Sequence, residues 1–252
     1  VYISCLTKRL REMAIRVKTK FLFIFLTFSL LLIFSFSDAT EMYKNYHGKA
    51  KINLPPPDYK GLSLEETIKK RRSVRNFKKE PLSLKELSIL LFAADGITKK
   101  EGDFGYRSAP SAGALYPIEI YSIVHNVDKL KQGIYHYSFL DHSLELIKEG
   151  NFKKEIVHAA SDQETTGEAG VTFVLTSIWQ RITRKYGERG YRYTFIEAGH
   201  IGQNIYLETV SLGLGCVAVG AFFDDELNKL LGIDGENESA LYILSVGKIV
   251  TP

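Results

Sequence analysis

Two strand-like runs, Gly133 to Ser138 and Ser143 to Lys148, are joined by only Phe139-Leu140-Asp141-His142. A connection that short pairs strands antiparallel, because a parallel pair needs a crossover of about a dozen residues or more. Elsewhere the chain alternates strand-like and helix-like patterns. A doubly wound parallel sheet is therefore excluded. The expected class is α+β, a mixed or antiparallel sheet layered with helices. Four further strands are expected. Ile118 to Val124 opens after Pro117, Val171 to Ile178 is apolar and β-branched almost throughout, and Val217 to Phe222 and Leu241 to Ile249 read as edge or closing strands.

The helices announce themselves by their caps. Ser63 with Glu66 reads as a capping box for a helix ending near Arg71, with Leu64 and Ile68 on one face. Ser83 with Glu86 caps a second helix, with Leu84, Leu87, Leu90, Leu91 and Ala94 on one face and Gly96 as its stop. Asn151 caps a helix through Ala160, and Asp224 caps a short one ended by Gly232. Trp179 to Arg189 reads as an amphipathic helix whose long cations snorkel. The longest pattern runs from Tyr193 to Leu212 and stops at Gly213; Gly199 and Gly202 inside it suggest close approach by another backbone or a cofactor. Lys99 to Gly105 and Ser161 to Gly170 read as polar loops.

The N-terminal part has a different character. Phe21 to Ser37 is a 17-residue run without charge, preceded by Arg16, Lys18 and Lys20 and followed by the small residues of Ser37-Asp38-Ala39. This is the three-part pattern of a secretory signal, either cleaved or kept as an anchor. Residues 1–39 are thus expected to direct export, residues 40–60 to form a linker through Leu54-Pro55-Pro56-Pro57, and residues 61–252 to form one domain. The chain opens on Val1, and Met13 gives a cleaner start for such a signal, so residues 1–12 read as an upstream extension. The net charge of +4 belongs to this part: residues 1–39 hold six of the 33 basic and two of the 29 acidic residues. The remainder is balanced, which argues against a nucleic-acid partner. Cys5 and Cys216 are the two cysteines, so a processed chain has no intrachain disulfide.

Arg71-Arg72-Ser73-Val74-Arg75-Asn76-Phe77 is the stretch with chemistry. It sets three guanidiniums and a hydroxyl at the end of a capped helix, and Phe77 returns the chain to the core. A guanidinium fork fits a phosphate with two parallel hydrogen bonds. The alternative is a solvated basic run suited to a helix C-terminus. Other constellations are missing. Gly213-x-Gly215 leads into a strand, so it is a turn and no dinucleotide fingerprint. The six histidines (47, 125, 136, 142, 158 and 200) show no metal spacing. His136 and His142 flank the hairpin turn and read as solvated or aromatic-packed, and His200 is the one to watch. Ser111 has no histidine or aspartate tied to it.

Arg-Arg-Ser-x-Arg-x-Phe resembles the opening signature of the nitroreductase-like flavoproteins. Ala109-Pro110-Ser111-Ala112-Gly113-Ala114-Leu115-Tyr116-Pro117 is similar to that family's second cofactor loop, and Glu197-Ala198-Gly199-His200-Ile201-Gly202-Gln203-Asn204 to its central helix. The branch most resembled is that of the SagB-type dehydrogenases, which includes thiazoline and oxazoline oxidases. The resemblance spans about Leu54 to Lys248 and implies a nitroreductase-like fold, FMN, and a homodimer with the flavin at the interface. It implies that Arg71, Arg72, Ser73 and Arg75 hold the phosphate and ribityl end. Pro110, Ser111, Ala112, Gly113 and Ala114 would border the ring, with Val219 and Gly220 near N5 and Lys248 as a further phosphate contact. Ala114 stands where many nitroreductases have Asn, a departure that the SagB-type branch shares, since it too has small residues there. Azoline oxidases also use a Lys and a Tyr; the resemblance leaves these unassigned here, with Tyr106 and Tyr116 as candidates and no lysine indicated.

The function expected is an FMN-dependent oxidoreductase, moving hydride between NAD(P)H or a small organic substrate and flavin N5. The redox chemistry would belong to the cofactor, which explains why no acid, base or nucleophile set stands out. Two alternatives remain at this point. One is an azoline-to-azole dehydrogenase of peptide modification, against which an export signal weighs. The other is a catalytically silent flavin-binding module tethered to a membrane.

Overall fold

Seven strands pair into one sheet in the order β1-β6-β5-β4-β7-β9-β8, and every pairing is antiparallel. They are β1 (Lys51–Asn53), β4 (Ile118–Val124), β5 (Gly133–Ser138), β6 (Ser143–Glu149), β7 (Val171–Ile178), β8 (Leu214–Val219) and β9 (Glu238–Lys248). A separate hairpin pairs β2 (Ile97–Glu101) with β3 (Phe104–Arg107). The computed structural model describes residues 43–102 and 104–250. The export signal expected over Phe21 to Ser37 lies outside them. Among the described residues no helix is long and apolar enough to cross a membrane.

The period-two alternation of each strand feeds two cores. On one face Ile118, Ile120, Tyr135, Tyr137, Phe173 and Leu244 meet α2 (Leu84–Asp95) and α6 (Arg189–Ser211). Leu87, Leu90, Leu91 and Ala94 of α2 are fully buried there, each leucine contributing about 1.5–3 kcal/mol of burial. On the other face Tyr121, Ile123, Ile134, Val174 and Ile243 meet α3 (Lys153–Ala159) and α7 (Asp224–Leu231). Shorter helices α1 (Leu64–Lys70), α4 (Thr165–Glu168) and α5 (Trp179–Tyr186) sit at the margins.

Several expectations need correction. The segment from residue 43 to 60 is no free linker: β1 pairs with β6, and Lys44 Nζ donates to Tyr121 Oη at 2.5 Å. Polar side chains hid a strand whose backbone bonds do the pairing. The same holds for Lys99 to Gly105, which lies largely in the β2–β3 hairpin. The capping box at α2 is complete, with Ser83 N donating to Glu86 at 2.7 Å and Glu86 N to Ser83 Oγ at 3.1 Å. At α1 only half forms: Ser63 Oγ accepts from Glu66 N at 3.3 Å, while the Glu66 carboxylate lies 3.8 Å from Lys70. Leu64 and Ile68 of α1 face outward, 59% and 57% exposed. Helix α6 begins four residues earlier than its pattern suggested. Gly202 in it does admit a neighbour, since a Cβ there would lie 2.9 Å from the Tyr242 ring, whereas Gly199 faces open space.

Candidate active site

Helix α1 ends at Lys70, and the arginine stretch then runs beside edge strand β8. Val74 N donates to Cys216 O at 2.8 Å, and Ser73 pairs with Cys216 as a parallel bridge. Phe77 packs on Gly247, where a Cβ would lie 2.9 Å from its ring, so the chain does return to the core. The Arg71 guanidinium lies 5.2 Å over the ring of Tyr206 on α6, and the hydroxyls of Ser73 and Tyr206 are 3.0 Å apart. Arg72 donates to the carbonyls of Lys69 and Arg71. Arg75 is exposed. None of these three guanidiniums has a carboxylate partner among the described residues. Cations without counter-charge, two of them held in place, fit a phosphate. Lys248 is placed differently: its ammonium forms an ion pair with Glu86 at 2.6 Å. Val219 is buried at the end of β8, and Gly220 beyond it is exposed with open space where a side chain would stand.

The loop from Pro110 to Pro117 is a strained turn. Gly113, Ala114 and Tyr116 all have positive φ, at 63°, 53° and 46°; the two non-glycine residues each cost on the order of 1 kcal/mol there. Its surroundings fix it in that shape. Ser111 Oγ donates to Glu197 Oε2 at 2.5 Å and accepts from Tyr116 N at 2.9 Å. Tyr116 is buried, its hydroxyl accepts from Arg107 N at 3.2 Å, and its ring lies 4.5 Å from the Arg107 guanidinium. Gly113 lies beneath two side chains at the end of α5. A Cβ built on it would fall 2.6 Å from Tyr186 Oη and 2.8 Å from Lys185 Nζ. Of the tyrosines considered from sequence, Tyr106 is exposed on β3 beside Glu101, and Tyr116 lies in the loop itself with its side chain buried. The adjacent Lys185-Tyr186 pair was overlooked because it reads as part of a basic helix face. Its only sequence signal is that the two residue types stand side by side.

Beneath the loop lies a buried set of charges. Asp95 and Arg107 are fully buried and paired at 2.7 Å. Burial pushes the Asp95 carboxyl up to about 7, against the pull of Arg107. Burial likewise pushes Glu197 up to about 8, opposed by the Ser111 hydrogen bond and reinforced by Asp95. Glu197 Oε1 has no hydrogen-bond partner among the described residues, and the residue borders a shallow cavity of about 220 Å³ with Pro110, Ala112, Tyr193 and His200. Helix α6 spans both halves of the site, with Glu197 at the loop and Tyr206 at the arginine stretch. Nine residues along a helix separate them by about 13 Å.

A pH dependence follows. Below the ordinary glutamate value of 4.5, Glu197 holds its proton whether folded or not. Between 4.5 and about 8 the unfolded chain releases it first, so stability falls as pH rises through that window. The substitution Glu197→Gln keeps an acceptor for Ser111 and removes the titration. Thermal denaturation is expected to show the variant gaining on the parent from pH 5 to pH 8, by on the order of 4 kcal/mol at the upper end. A gain independent of pH would contradict the burial cause.

A sequence profile of the nitroreductase family matches residues 68–248. A nitroreductase-family protein of Methanocaldococcus jannaschii is 42% identical over 197 residues, covering 78% of this chain and 96% of that one. The crystal structure of a nitroreductase-family protein from Anabaena variabilis superposes with a TM-score of 0.72 at 32% identity, covering 82% of this chain but 44% of that one. A chain of the Escherichia coli microcin synthetase McbBCD complex, solved with truncated pro-MccB17 bound, gives a TM-score of 0.63 at 25% identity, covering 81% of this chain and 80% of that one.

Proposed function

The chain belongs to the nitroreductase family of oxidoreductases, and from that premise we propose that it is an FMN-dependent enzyme acting on a small organic substrate or NAD(P)H. The carrying observation is the arginine stretch, three guanidiniums within five residues, two of them held by neighbouring groups and none with a carboxylate partner among the described residues. Arg71, Arg72, Ser73 and Arg75 bind the phosphate end. Ser111 to Ala114 border the ring, and Val219 and Gly220 leave space at its other side. Bound FMN supplies two-electron redox chemistry. Lys185 and Tyr186, seated on Gly113, hold and move the proton that accompanies it. Glu197, neutral over much of the working range, keeps Ser111 in place without setting a bare carboxylate against the ring.

A second reading, azoline-to-azole dehydrogenation in the SagB-type manner, is favoured by that Lys-Tyr pair and by the likeness to the microcin synthetase chain. The silent-module reading leaves the pair without a role. The site is completed by a second copy of this chain. Phe195 and Ile196 of α6 are 58% and 51% exposed, and α1, which packs on α6, exposes Leu64 and Ile68. Purified residues 40–252 with FMN are expected to oxidise NADH in the presence of a quinone or nitroaromatic and to scatter light as a dimer. A flavin-loaded monomer without turnover would reject both statements. The full chain is exported or anchored through residues 21–37, with its body outside; finding it soluble in the cytoplasm on fractionation would reject that.

A further inference from the structure

Three neighbouring strands bring titratable groups together on one face of the sheet: Glu145 on β6 stands opposite His136 on β5, and Glu119 on β4 stands diagonally, two residues from His136's partner Tyr121. All three are fully buried. His136, expected to be solvated or aromatic-packed, has Tyr46 and Tyr121 beside it but sits between two carboxylates. Its Nδ1 lies 2.9 Å from Glu145 and its Nε2 2.7 Å from Glu119. The other oxygen of Glu119 accepts from Arg181 Nη1 at 2.5 Å. The expected snorkelling cation is thus a buried one. Burial acts to raise the Glu119 carboxyl, but Arg181 and His136 outweigh it and hold it down at about 2.

Arg181 Nη1 has a second acceptor, the carbonyl of Tyr116 at 3.2 Å. Tyr116 closes the loop that contains Gly113. Arg181 itself stands on α5 one turn before Lys185 and Tyr186. One buried nitrogen therefore ties the segment carrying Gly113 to the segment carrying the two side chains seated on it. Helix α5 has eight residues, too few to hold its own shape in water. Its start is held by Trp179, which donates to Asn237 O and Ser239 Oγ; Arg181 and Ile182 are its buried residues, and Arg181 is its tie to the Gly113 loop. The joint is stiff because parting a buried ion pair strands two charges.

We propose that Arg181, anchored by Glu119, is the positioning residue that keeps Lys185 and Tyr186 in their seat on the Gly113 loop. This rests on the reading of that seat as the proton-handling part of the active site. Arg181→Lys tests it. The lysine keeps a cation beside Glu119, but a single ammonium lacks the planar fork that serves two acceptors at fixed angles. Amide exchange in residues 111–116 and 183–187 is expected to quicken about tenfold, the size of one lost hydrogen bond from a charged donor. The rate constant kcat for a proton-releasing substrate is expected to fall by a similar factor, with KM and FMN affinity unchanged. Glu119→Gln, which keeps shape and drops charge, should move both readouts the same way and less. Ile156→Val, a core change on α3, which packs on α4 and α7, should lower stability and move neither. Unchanged exchange in both segments of folded Arg181→Lys would overturn the proposal. Quickened exchange alongside undiminished turnover in Lys185 and Tyr186 variants would keep the clamp and remove the active-site reading beneath it.

Discussion

Replacing Tyr186 with Phe, or Lys185 with Met, is expected to cut turnover by roughly 10²–10⁴-fold on any substrate that gives up a proton along with hydride, the range a positioned acid or base contributes. The reasoning is local. Tyr186→Phe removes one oxygen and leaves the ring packed edge-on against Tyr193, with centroids 5.0 Å apart. Lys185→Met removes the charge that lies 5.4 Å from the Tyr186 ring and keeps most of the stem. Neither residue belongs to the arginine stretch, so FMN affinity should not change. The half-reactions then separate. Oxidation of an azoline to an azole removes a hydride and a proton, and should collapse in both variants. Oxidation of NADH to NAD⁺ gives up hydride alone, and should stay within a few-fold of the parent. Stopped-flow absorbance of the flavin under each donor reads both. Equal loss with both donors would mean that the pair holds the ring's surroundings rather than a proton.

The second large effect concerns Arg71 and Arg75. Changing either to Ala is expected to weaken FMN by about tenfold to a hundredfold, since a hydrogen bond to a charged group contributes roughly 1.5–3 kcal/mol. Riboflavin, which has no phosphate, should bind all variants alike. The two arginines are expected to differ in degree. Arg71 is half-buried against Tyr206, so Ala there also removes a ring contact; Arg75 is exposed and should report the phosphate alone. Melting temperatures should barely move at Arg75, because exposed cations add little stability. Fluorescence quenching titrations with both flavins decide the matter, and FMN affinity that survives in both variants places the phosphate elsewhere.

What could be read in advance follows from what each side chain reveals alone. Val171–Ile178 was legible to the residue because a run buried on both faces is apolar on both parities. The hairpin of β5 and β6 followed from the length of its turn, and α2 from a complete capping box. Hairpin β2–β3 was not legible, because Ile-Thr-Lys-Lys-Glu is mostly exposed and its pairing is made by backbone groups common to every sequence. The buried charges escaped for a related reason. Glu119, His136 and Arg181 neutralise one another from two strands and a helix, so each alone looked like a surface residue. Glu197 was read as part of a helix signature, and its raised carboxyl appears only once the loop and Asp95 are packed around it. The Lys185-Tyr186 pair needed the one glycine that both side chains reach.

Strand β8 is the outermost strand on its side of the sheet, and Ser73 and Val74 lie along its open margin. An uncovered margin of this kind recruits other chains into mixed sheets. On the reading proposed above, the stretch Arg71 to Phe77 would therefore both cover that margin and bind the phosphate. Whatever loosens it, whether loss of ligand or a change at Arg71, should also leave the molecule sticky and open to proteases at that margin. Cofactor supply would then govern how much of the protein survives in its compartment as well as how much of it is active.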